Sequence, residues 1–82
     1  MTRPSLVLYH DIPCPYCKRV RAYLESQDIH IPMKDIMEDP KNWEDLLAIG
    51  GKGQVPCLMI DGKPLYESLD IINWFKQNWT PQ

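Results

Sequence analysis

DIPCPYCKRVRAYLES, residues 11–26, places two cysteines where a strand pattern gives way to a helix pattern. The preceding Leu6–Tyr9 run is continuously apolar and rich in β-formers, which is typical of a strand buried on both faces. From Pro15 onward apolar residues recur at helical spacing, and proline suits the first helical turn. We therefore expect a strand at residues 6–9 and a helix that ends near residue 27, with an apolar stripe formed by Cys17, Val20 and Leu24.

Downstream, residues 29–36 alternate apolar and polar side chains and predict a second strand. Pro32 lies inside it and cannot donate a ladder hydrogen bond, so this strand should lie at a sheet edge. Asp39-Pro40 resembles an N-cap followed by a first-turn proline, and Gly50-Gly51 is a stop signal. Between them a second helix is expected, with a stripe formed by Trp43, Leu46 and Leu47.

The last third of the chain predicts a β-hairpin and a third helix. Residues 57–60 and 63–66 flank Asp61-Gly62, a strong turn signal, and Pro64 marks the second hairpin strand as the other sheet edge. Ser68 is positioned to cap a helix. The apolar stripe of that helix is Ile71, Ile72, Phe75 and Trp79.

This element order, β-α-β-α-β-β-α, restricts the topology to one arrangement. A right-handed crossover pairs the first two strands in parallel, and the proline-containing strands must lie outside. The predicted fold is therefore an α/β fold with a four-stranded mixed sheet in the order 2-1-3-4. Helices should cover both faces.

Length and composition limit the function classes. The 82 residues suffice for a single domain, residues 1–82, which we expect to be a monomer. The net charge of −2, without a basic run, argues against nucleic-acid binding. The short apolar run near the N-terminus predicts neither a signal peptide nor a membrane span, so we expect a cytoplasmic protein. A reducing compartment and an odd count of three cysteines disfavour permanent disulfides.

The Cys14-Pro-Tyr-Cys17 spacing at a helix start favours redox chemistry. Free N–H groups and the helix dipole favour a thiolate at Cys14, which would be the attacking sulfur. Cys17 shares the buried stripe and is a candidate to resolve a mixed disulfide formed at Cys14. Zinc binding, inert packing and a structural disulfide are the alternatives. A zinc site needs about four ligands, and the only further candidates are Cys57, His10 and His30.

The sequence resembles a glutaredoxin, a small member of the thioredoxin-fold superfamily. Cys14-Pro15-Tyr16-Cys17 is similar to the family's dithiol motif, and Val55-Pro56 to its Val-Pro loop. Residues 67–70, Glu-Ser-Leu-Asp, lie where the family contacts glutathione. The resemblance covers about residues 5–79 and implies a glutathione-dependent thiol-disulfide oxidoreductase. Its partners would be glutathione and glutathionylated or disulfide-containing proteins; it would hold no permanent cofactor and no metal, and bind neither nucleic acid nor membrane.

The resemblance also implies a glutathione-binding set. Pro56 would follow a cis peptide and present the Val55 backbone to the tripeptide. Ser68 and Asp70 would hold the γ-glutamyl group at the start of the third helix. The remaining members of the set are Tyr16, Glu67, Lys52 and Gln54. Each also has a structural interpretation: a helix cap for Ser68, a first-turn acid for Asp70, a solvated loop position for Glu67 and cover for apolar surface in the case of Tyr16.

The Glu67-Ser68 pair departs from the common glutaredoxin pattern and is similar to the glutathione-transferase N-terminal domain. A non-catalytic glutathione-binding module is therefore an alternative function, as is an iron-sulfur cluster carrier. Asp11, acidic and upstream of the motif, could disfavour the Cys14 thiolate through like charge. Cys57 is expected to be a buried core residue, with a second regulatory thiol as the alternative.

Overall fold

The computed structural model describes residues 4–79, within which the chain forms four strands and three helices in the predicted order. The strands are β1 (Leu6–His10), β2 (Met33–Asp35), β3 (Cys57–Ile60) and β4 (Lys63–Tyr66). The helices are α1 (Pro15–Ser26), α2 (Pro40–Gly50) and α3 (Ser68–Asn78). Within the described range, no helix combines the length and the apolar character needed to cross a membrane.

The sheet has the predicted order β2-β1-β3-β4. β1 pairs with β2 in parallel and with β3 in antiparallel orientation, and β3 pairs with β4 in antiparallel orientation. β2, which follows Pro32, and β4, which contains Pro64, lie at the borders, as expected because proline cannot donate a ladder hydrogen bond. This arrangement confirms the thioredoxin-type α/β fold.

Two apolar cores lie on opposite faces of the sheet. Along β1, Leu6 and Leu8 pack into one core, and Val7 and Tyr9 into the other, as the two-residue period of a strand requires. α1 and α3 contact each other over the first core, which contains Phe75 at 1% exposure. α2 supplies the fully buried Leu46 to the second core. The other buried members of this core come from the sheet: Tyr9, Cys57 and Met59.

The predicted caps and turn of the middle of the chain are confirmed. The Asp39 carboxylate accepts a hydrogen bond from the Lys41 backbone N–H at 2.9 Å, and α2 ends before Gly51, whose φ of 83° lies in the left-handed region. The β3–β4 hairpin turns through Asp61 and Gly62, with φ of 51° and 81°. Positive φ at both positions gives the twist that a two-residue hairpin needs.

Three predictions about local structure are wrong. The second strand is residues 33–35 rather than 29–36, because Ile29 is buried in the first core and Pro32 contributes only its carbonyl, which accepts from the Leu8 N–H at 3.0 Å. Ser68 is the first residue of α3 and not its cap; the N-cap is Glu67. The α2 stripe is narrower than expected, since Leu46 alone is buried within that helix; its other two members are half-exposed: Trp43 and Leu47.

Replacing the α2 N-cap tests the local origin of this helix. Asp39→Ala removes the acceptor for the Lys41 N–H and should lower the free energy of unfolding by about 1 kcal/mol in urea denaturation. Glu44→Ala, an exposed substitution within the same helix, is the control and should stay within about 0.5 kcal/mol of wild type. Equal effects of the two substitutions would show that the cap contributes nothing.

Candidate functional site

Three loops converge at one end of the strands β1, β3 and β4. Tyr9 pairs with Cys57, and Cys57 pairs with Tyr66, so these three residues form a row across β1, β3 and β4. β1 and β4 leave the sheet just beyond this row, and β3 enters it there. The segments next to the row are therefore neighbours in space: the cysteine motif after β1, Val55-Pro56 before β3, and Glu67-Ser68 after β4.

A cavity of about 380 Å³ lies between these segments. Its walls come from all three, and every lining residue belongs to the set expected from the sequence: Tyr16, Gln54, Val55, Pro56, Glu67 and Ser68. The structure places the other two members of the binding set outside the lining. Asp70 is exposed in the first turn of α3, and the Lys52 ammonium lies 4.4 Å from the centre of the Tyr66 ring.

Cys14 is the N-cap of α1 and is partly exposed. Its backbone N–H donates to the Asp11 carbonyl at 3.1 Å, and its carbonyl accepts from the Lys18 N–H at 2.9 Å. The thiol therefore stands at the open N-terminal end of the helix, where the dipole favours negative charge. Tyr16, two residues further on, is 58% exposed and lines the cavity, so the cysteine motif lies at its border.

Cys17 occupies the opposite environment one turn inside α1. It is completely buried, as predicted, and burial raises the pKa of its thiol to about 12 because the thiolate is poorly solvated there. A hydrogen bond with the Cys14 side chain acts in the same direction. A hydrogen bond from the Asp11 backbone and the charge of Arg21 act against it. At neutral pH this second sulfur is therefore protonated.

Arg21 fastens the loop that carries the motif, a role that the sequence analysis missed. Its Nη1 lies 3.0 Å from His10 Nδ1 and donates to the Asp11 carbonyl at 3.4 Å, while Nη2 donates to the Ile12 carbonyl at 3.1 Å. Since a guanidinium can only donate, His10 Nδ1 is the acceptor and its ring proton is on Nε2. The available sequence signal was spacing: Arg21 lies four residues after Cys17 and hence on the same face of α1.

Burial and the Arg21 charge keep His10 neutral. His10 is 6% exposed, and desolvation is the largest cause that lowers its pKa, followed by Arg21. Acidic neighbours oppose this shift without reversing it: Asp35, Asp11 and Glu38. The neutral ring is the form that the hydrogen bond from Arg21 requires.

The start of α3 forms the second wall of the cavity. Glu67 has a φ of 72°, a region that costs a residue with a side chain free energy, and its carboxylate accepts from Gln54 Nε2 at 3.0 Å. Among residues 4–79 no side chain caps the first N–H groups of α3. Ser68, 6% exposed, lies at this uncapped end and lines the cavity. Such an end is suited to bind a carboxylate.

Two aromatic residues position the loop between α2 and β3, the third wall. The Tyr66 hydroxyl donates to the carbonyls of Gly50 at 2.9 Å and Lys52 at 3.2 Å. The indole of Trp43 lies so close to Gly53 that a Cβ there would overlap the ring. The loop ends in a cis Val55–Pro56 peptide bond, which confirms the isomer that the resemblance implied.

Cys57 lies directly after this proline and is completely buried, which confirms the expected core position. Burial raises the pKa of its thiol, and the Leu65 backbone and the Tyr66 side chain act in the opposite direction. Burial likewise raises the pKa of Tyr66, so its hydroxyl stays protonated and remains a donor at neutral pH. Cys57 therefore belongs to the packing beneath the site.

Comparison with known proteins identifies two related groups. Residues 8–81 match the family model described as glutathione S-transferase, N-terminal domain. An uncharacterized glutaredoxin-like 8.6 kDa protein in the rubredoxin operon of Clostridium pasteurianum is 31% identical over 55 residues, which is 67% of this chain and 73% of the relative.

The solved structures give the same two groups. Glutathione transferase Omega 3C from Trametes versicolor superimposes with a TM-score of 0.79 at 33% identity, covering 98% of this chain and 37% of the transferase. This chain thus spans about a third of the transferase's length. The holo form of glutaredoxin C1 from Populus tremula x tremuloides superimposes with a TM-score of 0.69 at 22% identity, covering 92% of this chain and 77% of that protein, and supports the fold.

The unequal burial of the two motif thiols predicts unequal alkylation. In Cys14→Ser, Cys17 should react with iodoacetamide at pH 7 at least about 100-fold more slowly than Cys14 does in Cys17→Ser. Because burial still raises the pKa of Cys17 in this variant, its rate should rise about tenfold per pH unit from pH 7 to pH 9, since the thiolate fraction does. Peptide mass mapping separates both from Cys57. Comparable rates at pH 7 would contradict the buried position of Cys17.

Removal of the Tyr66 hydroxyl should loosen the loop before β3. Tyr66→Phe keeps the ring but frees the carbonyls of Gly50 and Lys52, so it should cost about 1 kcal/mol of stability and speed hydrogen exchange within residues 51–56. Tyr23→Phe, a substitution between α1 and α3, is the matched control. Unchanged exchange in residues 51–56 of Tyr66→Phe would show that the hydroxyl does not hold the loop.

Proposed function

This chain belongs to the glutathione S-transferase N-terminal domain family, and within it we propose a glutathione-dependent thiol-disulfide oxidoreductase of the glutaredoxin type. The observation that carries the proposal is the pairing of a partly exposed Cys14 at a helix start with a fully buried Cys17, beside a cavity lined by the expected glutathione-binding residues. The glutaredoxin-like relative from Clostridium pasteurianum supports the same assignment.

The first step is a thiol-disulfide exchange at Cys14. The Cys14 thiolate attacks the glutathione sulfur of a glutathionylated protein or a small disulfide, so that a bond forms between the two sulfurs and the substrate disulfide breaks. The substrate thiol leaves as a thiolate and takes a proton from water. Partial exposure of Cys14 permits this attack, and its position as the N-cap of α1 places the reacting sulfur at the positive end of the helix dipole.

The second step regenerates the enzyme by one of two routes. A glutathione thiolate attacks the glutathione sulfur of the adduct, releases the Cys14 thiolate and leaves as glutathione disulfide. Alternatively, Cys17 loses its proton and attacks Cys14, which forms the intramolecular disulfide and releases glutathione. Two further glutathione molecules then reduce that disulfide. In both routes, two electrons pass from glutathione to the substrate disulfide.

The cavity supplies the binding interactions of the proposed complex. The backbone of Val55, in the loop before β3, forms strand-like hydrogen bonds with the tripeptide. The N–H groups at the start of α3 take the γ-glutamyl carboxylate. Tyr16 covers the glutathione cysteine from the side of α1. Asp70, exposed in the first turn of α3, is proposed for the ammonium group, and the exposed Lys52 for the glycyl carboxylate; neither lines the cavity itself.

We further propose a monomeric protein that acts in the reducing cytoplasm on glutathionylated proteins. A reducing compartment keeps the motif as a dithiol between turnovers. All three cysteines are thiols in the structure.

A second candidate is a glutathione-binding module without turnover. The match of residues 8–81 to the transferase N-terminal family favours it, as does the 33% identity to a transferase of which this chain spans 37%. Such a module would use the cavity and the start of α3 but would not need two cysteines. Catalytic turnover therefore separates the two candidates.

The assay is reduction of the mixed disulfide between hydroxyethanethiol and glutathione, coupled to glutathione reductase and followed by NADPH consumption. Wild type should turn over and Cys14→Ser should lose at least about 1,000-fold in rate, because the attacking sulfur is gone. Cys17→Ser should keep activity, since free glutathione resolves the adduct. Cys57→Ala, which removes the buried thiol beneath the site without adding a polar group, is the control for a cysteine that takes no part in the proposed reaction.

Two results would contradict the proposal. Binding of glutathione without NADPH consumption would establish the module without turnover. Activity that survives in Cys14→Ser but is lost in Cys17→Ser would reverse the assignment of the two sulfurs.

A further inference from the structure

The loop from β1 to α1 is held by one side chain. Three consecutive residues, 10–12, each present an acceptor to the Arg21 guanidinium: the His10 ring nitrogen at 3.0 Å and the carbonyls of Asp11 at 3.4 Å and Ile12 at 3.1 Å. A planar guanidinium has its donors in a fixed fork, so it sets the relative positions of the groups it contacts. Arg21 thus joins the end of the central strand to the helix that carries both motif cysteines.

The Asp11 backbone links this clamp to both sulfurs. Its carbonyl accepts from the Cys14 N–H as well as from Arg21, and its backbone also makes a hydrogen bond with the Cys17 thiol. A backbone N–H directed at sulfur stabilises the thiolate over the thiol. The Asp11 N–H lies between two groups that Arg21 contacts, the His10 ring and the Asp11 carbonyl, so a shift of residues 10 and 11 would move the donor that faces Cys17.

We propose that Arg21 is a positioning residue for the second step, one that holds the Asp11 backbone against the Cys17 thiol and, through its charge, promotes displacement of glutathione from Cys14. This inference rests on the proposed oxidoreductase function and adds a residue to it. Arg21 is not proposed to contact the substrate. It acts by holding the loop of residues 10–12 and by the effect of its positive charge on the Cys17 thiol.

The step that Arg21 promotes begins with ionisation of Cys17. The proton passes to water, the thiolate attacks the Cys14 sulfur, the bond from Cys14 to glutathione breaks, and glutathione leaves as a thiolate that takes up a proton. A positive charge near Cys17 favours its thiolate, whereas the buried environment and the Cys14 side chain oppose it. Three carboxylates near the same loop raise the pKa of His10: Asp35, Asp11 and Glu38.

The test measures the two steps separately. Reduced full-length protein is mixed with excess glutathione disulfide and quenched in acid, and mass spectrometry then counts the Cys14 adduct and the internal disulfide over time. Arg21→Gln, which removes the charge, should form the adduct within about twofold of the wild-type rate but close the internal disulfide about tenfold more slowly at pH 7. Arg21→Lys keeps the charge and loses the fork, and should close about threefold more slowly.

A second measurement distinguishes this role from general loosening. In a Cys14→Ser background, Arg21→Gln should slow alkylation of Cys17 at pH 8.5 by about tenfold, because charge and hydrogen-bond support for the thiolate are lost. A merely structural role would have the opposite effect, since an opened loop admits water and reagent and speeds alkylation. Lys63→Met is the control for the lost charge, because Lys63 pairs with Ile60 at the far end of the sheet.

The outcomes separate this inference from the function on which it rests. Closure in both Arg21 variants at the wild-type rate, or faster Cys17 alkylation in Arg21→Gln, would overturn the role of Arg21 while the oxidoreductase stands. Absence of any Cys14 adduct in the wild-type protein would instead overturn the proposed function.

Discussion

Burial of β1 on both faces is the constraint on which the site depends. Leu8 and Tyr9 are buried in opposite cores, so a register slip of one residue would exchange the two faces of the strand and place each side chain in the wrong core. The register fixes where β1 ends relative to β3 and β4. Because that end row is shared, the loops that leave and enter it meet at one place. The cavity is a consequence of strand register.

Helix geometry then gives the two motif sulfurs different environments. A separation of three residues moves the chain almost one helical turn, about 4.5 Å along the axis, which carries the second cysteine from the open end of α1 onto the buried face of that helix. Cys14 remains accessible, whereas Cys17 is sealed and has a pKa of about 12. In the proposed mechanism, this order ensures that an incoming disulfide meets the accessible sulfur first and that the buried one acts only on the adduct.

The sequence predicted what depends on local pattern and missed what depends on tertiary approach. Prolines located both sheet edges, and the motif spacing located both sulfurs, because these features are properties of the chain itself. The resemblance of Val55-Pro56 to a known loop also predicted the cis peptide bond before Pro56. The spacing of Arg21 from Cys17 indicates a shared helix face but not the acceptors of the guanidinium. Those acceptors, the carbonyls that accept from the Tyr66 hydroxyl and the positive φ of Glu67 could not be predicted, since each depends on where another backbone segment lies. The short β2 has the same origin: Ile29 is drawn into the core and away from the ladder.

The transferase-like and glutaredoxin-like features of this chain serve different parts of one proposed reaction. In the proposed complex, the uncapped start of α3 and the cavity hold glutathione, but binding it equally well before and during reaction would raise affinity without raising the rate. In the proposed mechanism the rate depends on the sulfur at the start of α1, next to the border of the cavity formed by Tyr16. A chain with the binding half alone would be a module, and a chain with the sulfurs alone would lack selectivity for glutathione. Since strand register joins both halves at one end of the sheet, the proposed function needs only the two cysteines in addition to the binding cavity.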